Sequence, residues 1–120
     1  MDDRGRVLLV GDSKRLSPQL QHVLEKRGFG VLRRASASDA LLALETENVD
    51  VVAAEMDLPD LPALELCRRI KDGWPDVPSL VLTDRPTLET SVAALRAGAY
   101  DYLIWPMPME ALAISLDRAL

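Results

Sequence analysis

The sequence predicts an α/β fold in which a parallel five-stranded sheet lies between two layers of helices. Three observations predict it. Short runs of almost wholly apolar residues recur, as expected of parallel strands buried on both faces. Between them lie stretches whose apolar residues recur at helical spacing, several with start and stop signals. The two kinds alternate strictly through 120 residues, a length that suits one domain with one core.

The run at 6–10 (RVLLV) reads as a fully buried strand. A helix follows over 17–28, with Ser17 as N-cap, Pro18 at its first position and Gly28 as its stop. Leu16, Leu20, Val23, Leu24 and Arg27 share one face, where the arginine stem can lie along the apolar edge. The segment 30–35 is a more polar strand, suited to a sheet edge, and 36–48 is a capped helix. Residues 49–55 form the third strand and 56–62 a proline-bearing loop. Residues 63–73 form a helix stopped by Gly73. Strand 79–83, helix 87–99, strand 101–105 and helix 109–120 complete the series. Trp74, before Pro75, is expected to anchor the loop into the fourth strand.

Five βα units in this order imply a parallel sheet with helices on both faces. For so small a sheet the flavodoxin-like strand order 2-1-3-4-5 is expected. The ends of its strands, at Gly11–Asp12, Glu55, Thr83 and Trp105, then converge at one rim. Open α/β sheets keep their sites in that crevice.

A net charge of −5 argues against a nucleic-acid-binding surface within this segment. The single cysteine, Cys67, allows no internal disulfide and is expected in the core; a reducing cytoplasm is the expected location. No run approaches membrane-spanning length. His22 is read as a surface residue. The Gly-Phe-Gly at 28–30 lacks the spacing of a nucleotide-binding loop.

Four segments then carry a resemblance: 7–13 (VLLVGDS), 49–66 (VDVVAAEMDLPDLPALEL), 80–84 (LVLTD) and 94–106 (ALRAGAYDYLIWP). Across nearly its whole length the chain resembles the receiver domain of bacterial two-component response regulators. It looks most like receivers that precede a regulatory ATPase or DNA-binding output domain. The resemblance implies a strand-end aspartate that accepts a phosphoryl group. It also implies an acid pair after the first strand that helps hold Mg²⁺, a Thr or Ser ending the fourth strand, and a Lys before Pro ending the fifth. An aromatic on the fifth strand changes rotamer with the Thr.

Position by position, Thr83, Tyr102 and Pro106 match and the charged positions do not. The acid pair is Gly11–Asp12, the acceptor position holds Glu55, and the lysine position holds Trp105. The usual loop glycine is Ala63, beside Pro62. Mg²⁺ is held by few, well-placed oxygen ligands. Moving a reacting atom by about 1 Å costs roughly 10²-fold, and losing one charge-stabilising group about 10²–10³-fold. These changes point to a degenerate receiver with no resident cofactor, in which Asp12 and Glu55 are weak metal candidates.

Two readings of Glu55 stand side by side. It partly imitates a phosphorylated acceptor by bonding Thr83 and drawing Tyr102 inward, or it is a solvated rim acid paired with a cation. Lys14 and Arg85 are the candidate cations, one of which is expected to enter the acid cluster and replace both metal and lysine, unless both face water. Trp105 is read as an apolar plug with its indole N–H bonded at the rim, the alternative being an exposed edge or partner contact. Asp57 is the one nearby acid that offers a substitute acceptor.

The expected function is a phosphorylation-independent protein-interaction module that is not an enzyme. Its contact face is the fourth helix, fifth strand and fifth helix, with Arg96, Tyr100, Tyr102 and Arg118, and its partner is a protein or a second copy. A downstream output domain is compatible with this organisation. The alternatives are a receiver still phosphorylated with Mg²⁺ on an unusual acid, and a small-ligand sensor in the emptied pocket.

Overall fold

The computed structural model describes residues 4–120 of the chain; residues 1–3 of the expected domain lie outside that range. The elements are β1 (Gly5–Val10), α1 (Pro18–Lys26), β2 (Phe29–Arg34), α2 (Ala37–Thr46) and β3 (Val51–Glu55). They continue as α3 (Ala63–Gly73), β4 (Ser79–Thr83), α4 (Leu88–Arg96), β5 (Asp101–Ile104) and α5 (Met109–Ala119). All strand pairs are parallel, and the order β2-β1-β3-β4-β5 is the one the sequence predicts.

Strand pleating sorts the core into layers. Val7 and Leu9 face one way, with Val51, Ala53, Leu80 and Leu82, and pack with Leu20 and Leu24 of α1 and Leu112 and Leu116 of α5. Leu8, Val10, Val52 and Ala54 face the other way, with α2 and α3. A smaller cluster of Cys67, Val81, Ala94 and Ala97 lies under α4. Burial raises the Cys67 thiol above its ordinary value, because the thiolate loses water it cannot replace.

Local signals set the helix ends. Ser17 caps α1 by accepting the Leu20 N–H at 3.1 Å, and Gly28 takes the positive φ of +96° that turns the chain into β2. Several strand boundaries differ from the sequence expectation; β1 starts one residue early, at Gly5, and β2 ends one residue early, at Arg34. β2 starts at Phe29, which already pairs with Gly5. β3 starts at Val51, because Asp50 turns its carboxylate onto the Arg6 N–H at 2.7 Å. β5 ends at Ile104, so Trp105 opens a loop through a cis bond to Pro106. Trp74 packs partly buried against the α2–α3 layer.

The β3–α3 loop is tied to α2 by Asp60. Its carboxylate accepts the Ser38 hydroxyl at 2.5 Å and the Ser38 and Ala37 N–H groups at 2.9 Å each. These bonds, the hydroxyl first, hold its carboxyl well below the usual carboxylate range. A carboxyl depressed in this way contributes stability above its ordinary value and loses it as the pH falls from there toward the folded value. The urea midpoint of the parent is therefore expected to fall more steeply than that of Asp60→Asn as the pH drops below about 4. Parallel slopes in urea titrations at a series of pH values would remove Asp60 from this role.

Candidate functional site

The rim is built by four strand ends. Val10 is in register with Ala54, Glu55 with Leu82 and Thr83 with Ile104, so the segments that follow meet above one edge of the sheet. They enclose a cavity of about 160 Å³ lined by Asp12, Ser13, Arg15, Glu55, Asp57, Thr83, Asp84, Arg85 and Trp105, with Met56 and Leu82.

Glu55 is only 9% exposed. It continues the face of Val51 and Ala53, which is also the face of Gly11. Both its oxygens are taken by Ser13: Oε1 accepts the backbone N–H at 3.1 Å, and Oε2 accepts the hydroxyl. Thr83 continues the opposite face, that of Val81. Its hydroxyl oxygen accepts the Arg85 N–H at 3.0 Å. No bond joins Glu55 to Thr83 among the described residues. The first link of the mimicry reading is therefore missing, and so is the cation pair of the solvated-acid reading.

Tyr102 nonetheless lies inward. It packs against the α4 cluster, and its hydroxyl is 2.6 Å from Thr90 Oγ1 of α4. Thr90 is a capping-box residue of α4, so the inward position of Tyr102 goes with a bond to α4 and not with a Glu55–Thr83 bond.

Of the two readings of Lys14 and Arg85, their exposure agrees with the one in which both face water. Lys14 and Arg85 are exposed, and neither makes an ion pair among the described residues. The cation that bridges the mouth is Arg15, 3.2 Å from Asp84. A loop of four polar residues gives no periodicity from which to choose the member that reaches Asp84. Ser13 escapes sequence reasoning for the same reason, since serine after an acid reads as a loop or cap residue.

Trp105 lines the cavity and is 8% exposed, with its ring in the α1–α5 core layer. Its indole N–H is buried without a partner, contrary to the expected rim bond. Asp12 and Asp57 are exposed at the cavity, His22 is exposed on α1, and Cys67 is buried.

A divalent cation does not fit the residues present. Gly11 brings no carboxylate, and both Glu55 oxygens are engaged with Ser13. No group of three His, Cys, Asp or Glu side chains suited to a metal occurs among the described residues.

The expected contact face carries exposed apolar residues besides its expected members: Leu88 is 80% exposed and Leu95 60%, and Val92, Ile104 and Ile114 are also exposed. Arg96 and Arg118 are exposed, and Tyr100 donates its hydroxyl to the Arg118 carbonyl at 3.1 Å. Tyr102 is half-buried and faces α4 more than solvent.

The chain matches the family model described as the response regulator receiver domain over residues 7–117. It is 35% identical to the response regulator MprA of Mycolicibacterium vanbaalenii over 107 residues, 89% of this chain and 46% of that protein. It is 29% identical to the DNA-binding transcriptional regulator NtrC of Proteus hauseri over 117 residues, 98% of this chain and 25% of that one. The chain thus spans half or less of the length of these curated relatives. Among solved structures, the signal receiver domain of an HD domain-containing protein from Pseudomonas fluorescens Pf-5 superposes with a TM-score of 0.88 at 28% identity, covering 97% of this chain and 94% of that one. No helix of the described residues is long and apolar enough to cross a membrane. A matched segment that reaches from β1 into α5, together with the same five-stranded topology, shows that the chain belongs to the response regulator receiver domain family.

Proposed function

We propose that this domain is a degenerate receiver, a signalling module that works through protein contacts and not through phosphoryl transfer. One observation carries the reading: the side chain at the acceptor position, Glu55, is folded back onto Ser13 with both oxygens engaged. An acceptor must present a free oxygen to an incoming phosphorus, in line and at close range. Glu55 instead holds each oxygen in a hydrogen bond to Ser13, turned away from that approach. The fifth-strand position that would supply positive charge holds an indole, and Arg15 is already paired with Asp84.

The module acts in the cytoplasm through the α4–β5–α5 face. Along α4, Leu88, Val92 and Leu95 recur at helical spacing, and Ile104 and Ile114 continue the apolar surface. Arg96 and Arg118 flank it. A protein partner, a second copy or an output domain in the same polypeptide would cover this surface; nucleic acid is not the expected ligand of an acidic segment.

Incubation with acetyl phosphate and Mg²⁺, followed by intact-mass measurement, is expected to leave the protein without a phosphate adduct. A stoichiometric adduct would overturn the proposal. One observation favours a second reading: Asp57 lines the same cavity from the exposed β3–α3 loop. An adduct that is lost in Asp57→Asn and kept in Glu55→Gln would establish phosphorylation at that alternative acid.

A further inference from the structure

We propose that Gly11 and Glu55 form one interlocked unit, in which Glu55 is the positioning residue of the β1–α1 loop and Gly11 is the seat it requires. The inference rests on the reading of the site as closed, and it explains what closes it.

The steric half comes from Gly11. A Cβ at this position would lie 2.1 Å from Oε1 of Glu55 and 2.8 Å from its Cδ and Cγ. Real Cβ atoms do not approach other atoms so closely, so the glutamate side chain lies in space that only a glycine leaves open. Neither backbone can withdraw. The Gly11 N–H is bonded to the Arg34 carbonyl of β2 at 2.9 Å, and Glu55 is the last paired residue of β3, opposite Leu82. Gly11 also has a φ of +137°, which side-chain-bearing residues rarely adopt.

The polar half comes from Ser13. Its N–H and hydroxyl take the two Glu55 oxygens, and its Oγ accepts the Arg15 N–H at 3.2 Å. The Arg15 guanidinium then reaches Asp84 after β4 at 3.2 Å. One continuous path of hydrogen bonds therefore joins the end of β3, the β1–α1 loop and the end of β4. A bound cation can join strand ends by drawing several carboxylates to itself. Here the protein's own carboxylate reaches across, over the glycine, and two hydroxyl and amide donors receive it. A side chain at position 11 is sterically incompatible with this arrangement, so the placement of Glu55 depends on Gly11.

A double-mutant cycle on the 120-residue domain tests the interlock. Gly11→Ala is expected to lower Tm by about 5 °C or more beyond what the same change costs in a Glu55→Ala background. Unfolding of the single variant at all temperatures, with recovery of fold in the double variant, is the same result in extreme form. Equal costs of Gly11→Ala in both backgrounds would refute the unit. Amide exchange at Ser13 tests the positioning role separately. Glu55→Ala is expected to speed it by about tenfold or more, while Glu55→Gln, which keeps the length and an acceptor oxygen, holds it near the parent value. Equal acceleration in both variants would refute positioning by Glu55. Neither measurement involves a phosphodonor, so phosphorylation of the parent would overturn the functional proposal and leave the interlock to be judged on these results.

Discussion

Trp105→Ala is expected to destabilise the domain by about 3–5 kcal/mol, the usual cost of deleting a large aromatic from a core. The side chain is 8% exposed and belongs to the layer formed with Leu16, Leu112 and Leu116. Trp105→Phe gives the opposite lesson. It removes volume, which costs stability, but it also removes an indole N–H buried without a partner. An orphaned buried donor carries a penalty of about 1–3 kcal/mol, close to what the lost ring area contributes. The phenylalanine variant is therefore expected within about 1 kcal/mol of the parent, on either side. Trp105→Lys, which restores the residue implied by the family pattern, should resemble alanine in stability. It loses the same packing, and its ammonium, which can reach the acidic cavity that Trp105 also lines, does not replace that packing. Urea denaturation of the three variants checks the ranking; a phenylalanine variant as unstable as alanine would mean that the indole N–H is satisfied in solution.

Ser13→Ala is expected to cost about 2–3 kcal/mol, because hydrogen bonds to charged groups contribute more than neutral ones. The change removes the hydroxyl from a nearly buried carboxylate and the acceptor from the Arg15 N–H. Ser17→Ala, four residues on, provides the internal control. It deletes an ordinary helix cap with a single bond to the Leu20 N–H, for which about 1 kcal/mol is usual. The two serines are alike in type and in partial exposure. A larger loss at position 13, measured by chemical denaturation at neutral pH, would separate a buried-charge contact from a cap. Equal losses would reduce Ser13 to a loop residue.

Nearly all of the fold is legible in the sequence. Parallel strands buried on both sides leave apolar runs such as 7–10 and 79–83, and the helix signals at Ser17, Pro18 and Gly28 act where they are read. Boundaries move where a long-range contact intervenes, as when Asp50 turns to Arg6 and shortens β3. The site is legible by position and less so by partner. Sequence places Glu55, Thr83 and Trp105 on one rim, because strand ends in a parallel sheet have nowhere else to go. It does not show that Glu55 and Thr83 leave their strands on opposite faces. Nor does it single out Ser13 and Arg15 from the polar run Asp12–Arg15. The contacts of that run are set by Glu55 above Gly11 and by Asp84, both distant in sequence.

The burial of Cys67 has a practical consequence. It is the only cysteine of the chain, it lies in the cluster beneath α4, and its thiol is held in the protonated, unreactive form. A thiol-reactive probe should therefore ignore the native protein. A new cysteine introduced on the exposed side of α4, at Leu95 for example, would take up a fluorophore or spin label alone. The surface assigned to partners can then be watched directly, without first removing a residue that the interior needs.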